Sequence, residues 1–159
     1  MLKKSFDQAC AVSKTLDIVG ERWTLLIVRE LLVSTLRFQE IQTRLPGIAA
    51  SLLSDRLKTL EEHEIISREF YSEYPPRASY TLTDKGRELG IVIGALGRWG
   101  IRHLNAKMSK TVKHLQCDHA IEPSYYCSHC QETVRAPHVV VTQRPAKSAL
   151  ASRNRIGND

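Results

Sequence analysis

The sequence predicts a mainly α chain with one small β-hairpin, an α+β fold, on three observations. Apolar residues recur at helical spacing through residues 8–63, two strand-like runs parted by Pro75-Pro76 follow, and a long helical run ends near Leu104. The 159 residues suit one domain with an appendage and can bury a core. No stretch reaches the roughly 18 apolar residues of a membrane span. Met1-Leu2-Lys3-Lys4-Ser5 leads into Phe6-Asp7-Gln8 and not into an apolar signal region. These features predict a cytoplasmic protein with no membrane partner. Its four cysteines are then thiols or metal ligands rather than disulfides. The formal net charge is +6 and the isoelectric point about 9.3, which permits an anionic partner. The charge is uneven, +2 over residues 1–105 and +4 over 106–159.

Residues 8–19 read as a short amphipathic helix stopped by Gly20. Residues 21–33 form a second helix, apolar nearly all round and therefore buried. Phe38, Ile41 and Leu45 mark a third helix over 38–45, which Pro46-Gly47 breaks. A fourth runs from about Ala49 to His63 on a stripe of Leu52, Leu53, Leu57 and Leu60. Strand candidates cover 65–71 and 79–82, and Thr83 can N-cap a fifth helix reaching about Leu104.

The Pro46-Gly47 turn between the third and fourth helices gives the chain helix-turn-helix character, and the hairpin falls where a wing would sit. That arrangement predicts a winged helix-turn-helix whose partner is double-stranded DNA. The major groove admits one helix, and side chains near its N-terminus read base edges. The fourth helix fits: its leucines anchor it, Ala50, Ser51 and Ser54 would face the groove, and Lys58 would reach phosphate. Arg68 and Arg77 of the wing, with Tyr71 and Tyr74, suit backbone or minor-groove contact, and Arg37 joins this candidate set.

A second pattern lies beyond residue 105. His114-Leu115-Gln116-Cys117 is followed, after nine intervening residues, by Cys127-Ser128-His129-Cys130, an H-x2-C…C-x2-C spacing. Two such turns facing each other would make a tetrahedral His/Cys3 set that zinc favours, with His114, Cys117, Cys127 and Cys130 as ligands. His119 competes with His114, and His129 could also reach. Unligated thiols on a small hairpin and a redox C-x-x-C are the other readings. Tyr125-Tyr126, Val134 and Val139 to Val141 are strand formers around it. The organisation read is 1–105, a winged helix domain; 106–142, a zinc-ribbon-like, Cys-bearing hairpin extension; and 143–159, a disordered basic tail carrying Arg144, Lys147, Arg153 and Arg155.

Residues 10–104 resemble the HxlR-type branch of MarR-like winged-helix regulators. The matching stretches run from Cys10 to Leu16-Asp17, then Gly20-Glu21-Arg22-Trp23-Thr24-Leu25-Leu26-Ile27, Arg29-Glu30-Leu31, Arg37-Phe38-Gln39-Glu40-Ile41 and Leu45-Pro46-Gly47-Ile48. Leu52-Leu53-Ser54-Asp55-Arg56-Leu57, Pro75 to Gly86 and Arg98-Trp99-Gly100 complete them. The resemblance implies a transcriptional regulator that dimerises through its first and last helices, acts as a repressor, and binds a pseudo-palindromic operator. It also implies redox or electrophile sensing at Cys10, where a helix N-terminus favours the thiolate; the family's usual next residue is Pro, and here it is Ala11. Ala49-Ala50 stand where the family has a capping Ser followed by Pro or a polar residue, and Ser51 where it often has a basic residue. Gly86, Gly90, Gly94 and Gly97 of the last helix predict close backbone approach, placed across the dimer seam.

No Ser/His/Asp constellation, glycine-rich phosphate loop or paired carboxylates are visible, so an enzyme is not expected. The alternative function is a zinc-dependent protein-interaction module with weak, non-specific DNA binding.

Overall fold

Leu53, Leu57 and Leu60 recur at helical spacing and are 0, 2 and 0% exposed in the helix that carries them, α4 (Ala50–Glu62). Each buried leucine contributes about 1.5–3 kcal/mol. The computed structural model describes residues 5–108, 110–134 and 138–142. Before α4 come α1 (Ala11–Val19), α2 (Thr24–Leu31), the short strand β1 (Leu36–Arg37) and α3 (Phe38–Arg44). After it come β2 (Ile66–Ser72), β3 (Arg77–Leu82), α5 (Asp84–Arg87), α6 (Leu89–Leu104), β4 (Tyr125–Cys127) and β5 (Glu132–Val134). The chain divides into two compact units, Met1–Pro123 and Ser124–Asp159.

In the first unit Ile27, Val28 and Leu31 of α2, Ile41 of α3, the leucines of α4 and Ile66, Tyr80 and Leu82 of the sheet close one core. The sheet is antiparallel in the order β1-β3-β2, with Leu36 opposite Tyr80 and Arg68 opposite the same residue from the other side. Only β1 has no counterpart among the sequence-predicted elements, because two residues carry no readable alternation. A bulge between Phe70 and Ser72 bends the wing near its tip.

Two local features lock α4 in place. Trp23 precedes α2 in the left-handed region (φ 79°), a strained setting for a bulky residue. Arg56 of α4 holds that turn: its Nη2 donates to Glu21 Oε2 at 2.7 Å and its Nε to the Arg22 carbonyl at 3.3 Å. At the other end Thr83 caps α5 as expected, its Oγ1 accepting from Gly86 N (3.1 Å) and donating to the Glu64 carbonyl (2.7 Å). Gly86 is required there, since a Cβ would lie 2.1 Å from the Ile65 oxygen. The last helix is interrupted at Glu88, which keeps helical dihedrals (φ −60°, ψ −25°).

The glycine stripe is corrected by the structure. Gly90 faces Leu32, Gly94 faces Pro123 and Gly97 faces Met108, so the recorded close approaches are within the chain. Residues after α6 return along this stripe and are pinned twice, by Arg98 with Glu122 and by Lys110 with Glu30. In the second unit β4 and β5 form a hairpin that includes Tyr125, Tyr126 and Val134. Val139, Val140 and Val141 are exposed and lie outside any strand, contrary to their apolar run. The tail expected at 143–159 lies outside the described residues.

Candidate nucleic-acid interface

The buried leucines of α4 leave Ala50, Ser51, Ser54 and Lys58 exposed. At about 100° per residue these four share roughly one quadrant of the helix, flanking the stripe of buried leucines. The helix starts at Ala49 (φ −70°, ψ 143°) with no side-chain cap, so its first N–H groups are met by no side chain of that residue. Lys58 lies 3.8 Å from Glu62 one turn on, an exposed pair that a phosphate can displace at little cost.

The three arginines are not one cluster. Cross-strand partners share a face, so Arg68, Phe70, Tyr80 and Leu36 lie on the core side of the sheet, and Arg37, Ser79 and Glu69 on the outer side. Arg68 stacks its guanidinium 4.4 Å from the Phe70 ring centre and meets Glu61 of α4 at 3.7 Å. Arg37 stacks 4.5 Å from the Tyr71 ring, while its backbone N–H donates to Glu40 Oε2 at 2.6 Å. Arg77 is exposed beside the tip. Sequence reasoning missed the shallow cleft beside Arg37, lined by Thr35, Leu36, Glu40, Tyr71 and Ser79, because it depends on β1.

Exposed apolar side chains also lie on α1 and α6. Val12 and Leu16 of α1 and Val92, Leu96 and Trp99 of α6 are 41–66% exposed. On α6 these side chains point away from the glycine stripe, and Trp99 packs on His103 with ring centres 5.2 Å apart.

Cys10 is the N-cap residue of α1 and is exposed. The backbone N–H groups of Ser13 and then Val12 lower its thiol below the ordinary value, with burial opposing weakly. Asp17 accepts from Phe6 N and from Ser5 Oγ, each at 3.0 Å, and folds the preceding segment onto α1.

The remaining cysteines lie on two turns. In the first, His114 Nδ1 is 3.2 Å from Cys117 Sγ, and His119 Nδ1 is turned to the Cys117 carbonyl at 2.7 Å. In the second, the backbone N–H groups of Cys130 and then His129 lower the Cys127 thiol, with the Cys130 side chain adding to them. Among the described residues no three His, Cys, Asp or Glu side chains are gathered as a metal site, and no helix is long and apolar enough to cross a membrane.

Residues 18–108 match the family model described as HxlR-like helix-turn-helix. The chain is 38% identical over 145 residues to the uncharacterized HTH-type transcriptional regulator Rv3095 of Mycobacterium tuberculosis, covering 89% of this chain and 91% of that one. Among solved structures, PA1607, a candidate transcription factor, superposes with a TM-score of 0.70 at 27% identity over 87% of this chain and 97% of that one. The redox regulator HypR in its oxidized form superposes with a TM-score of 0.55 at 32% identity, over 59% of this chain and 97% of its own.

Proposed function

The chain belongs to the HxlR-like helix-turn-helix family of transcriptional regulators, and from that footing we propose that it binds a pseudo-palindromic operator as a homodimer and represses the adjoining gene. It is a regulator and not an enzyme. The observation that carries the proposal is the outer face of α4. Small polar side chains occupy an exposed quadrant of a helix that the core and the Arg56 clamp hold in place. A side chain that reads a base edge must be positioned before contact, and a helix anchored by its buried leucines and by Arg56 does that. Ser51 and Ser54 would meet base edges, and Lys58, Arg77 and Arg37 would meet phosphate and position the wing. Arg68, stacked on Phe70 and tied to Glu61, orients the wing against α4. The exposed apolar groups of α1 and α6 would form the twofold seam, which predicts half-sites about one helical turn of DNA apart.

The test is selection of bound duplexes from fragmented genomic DNA by reduced protein. Enrichment of an inverted repeat upstream of a gene is the expected result. A background without enrichment, lost uniformly with salt, overturns it in favour of a protein-interaction module. Lys58→Ala and Arg77→Ala should each weaken binding to all sequences and lower the salt slope by about one.

Redox control through Cys10 is a second element of the proposal. It is supported by the exposed thiol at a helix start, by its lowered pKa, and by the likeness to a regulator named for redox. Titration with diamide should reduce operator affinity in step with loss of the Cys10 thiol. Unchanged affinity with Cys10 fully oxidised removes the sensing role.

A further inference from the structure

The last helix, α6, meets the core through its first turns. Leu89 and Ile93 pack on the core, and Gly90 faces Leu32 at the end of α2. From Gly94 to Leu104 the helix runs about 16 Å further. The large apolar residues of that half, Leu96, Trp99, Ile101 and Leu104, are 49–65% exposed. A lever of this length amplifies small errors: a tilt of about 10° at Ile93 moves its end by about 3 Å.

The chain that follows braces this half. Asn105, in the left-handed region at φ 51°, turns the backbone around, and Ala106 N donates to the Gly100 carbonyl at 3.4 Å. Met108 then lies against Gly97, Pro123 lies against Gly94, and Glu122 pairs with Arg98. Gly94 is buried and Gly97, Arg98 and Gly100 are half-buried, so the burial in this half of α6 coincides with the contacts of the segment. Between these contacts Lys110 reaches Glu30 of α2, a carboxylate only 4% exposed. Removing a cation from a buried carboxylate is costly, so Glu30 holds Lys110 more firmly than an exposed pair would. The segment is itself tied by the bridge of Lys113 with Ala120 and by Ile121 N donating to the Val112 carbonyl at 2.9 Å. It therefore grips α6 on one side and α2 on the other, and α2 shares its core with α4.

We propose that residues 106–123 form a strut that fixes the direction of α6 relative to the body carrying α4, and so sets the half-site spacing that a dimer accepts. Met108 and Lys110 are its positioning residues. The inference rests on the homodimeric, operator-binding reading with α6 in the seam. In such a dimer the path from one α4 to the other passes through both copies of α6, so freedom in α6 becomes freedom in the separation of the reading helices. One base pair is about 3.4 Å of duplex, the displacement that about 10° of tilt produces. A braced α6 thus discriminates between spacings one base pair apart, and an unbraced one does not.

The test is competition binding of the full chain to duplexes that carry its selected inverted repeat, with the spacer lengthened or shortened by one base pair. Wild type should prefer one spacer at least about tenfold. Lys110→Ala should narrow that preference to about threefold or less, while it still sediments as a dimer and keeps its affinity for an isolated half-site. Lys110→Arg should restore the preference, because a guanidinium can meet the same carboxylate. Met108→Ala, which removes no charge, should act in the same direction and replaces Lys110→Ala if that variant does not fold. Full spacer preference in both alanine variants overturns the strut. So does a loss of half-site affinity as large as the loss at the whole operator, because the segment would then only stabilise the body. Wild type that selects a repeat but is indifferent to its spacer overturns the strut alone. Wild type that selects no inverted repeat overturns the operator reading, and the strut with it.

Discussion

Glu30 is a carboxylate only 4% exposed, held between Arg29 (2.9 Å) and Lys110. Burial alone would raise its pKa, but hydrogen bonds from Lys110 and Arg29, with their charges, outweigh it and hold the group below the ordinary range. Because the folded value is depressed, the stabilisation is complete above the ordinary glutamate value of about 4.3 and fades as pH falls through the folded value. Glu30→Gln should cost about 1–3 kcal/mol at pH 7, less than a fully buried pair because both cations are partly exposed. In urea melts, the gap between wild type and variant should stay constant down to about pH 5 and close below it. At Gly86 the limit is steric. Gly86→Ala should destabilise by at least about 1–3 kcal/mol in the same assay, since the obstacle is the Ile65 backbone, which cannot rotate away. Thr83 as a cap was legible, because a hydroxyl before an acidic first turn is a local signal. The pairing of Glu30 with Lys110 was not, because eighty residues separate them and no local pattern links them.

At the scale of elements, α4 was legible from its leucines alone, and the structure places its ends at Ala50 and Glu62. Its uncapped start gives a direct prediction. Ala49→Ser should raise stability by about 0.5–1 kcal/mol, read as a higher melting temperature, by giving the first N–H groups an acceptor. The wing arginines show the opposite case. Sequence supplies the residue types, but the face each occupies depends on the pairing of Arg68 with Tyr80 and of Arg37 with Ser79.

For the whole molecule, the exposed apolar groups of α1 and α6 make oligomeric state the decisive property. Leu96→Asp with Trp99→Asp should give a folded monomer by analytical ultracentrifugation, with operator affinity lost alongside dimerisation. A dimer that persists would move the seam elsewhere. The glycine stripe was read from sequence as part of such a seam. It instead receives Leu32, Met108 and Pro123 of its own chain, because a helix with one face lined by glycine admits whatever segment returns along it.

That returning segment decides where the chain can be shortened. A fragment ended at Leu104, the last residue of α6, would look complete by its helices. It would also strip Lys110 from Glu30 and Met108 from Gly97, leaving an anionic group and an open glycine furrow in the body that carries α4. The smallest autonomous DNA-binding piece therefore ends beyond Lys110, six residues past the final turn of its last helix.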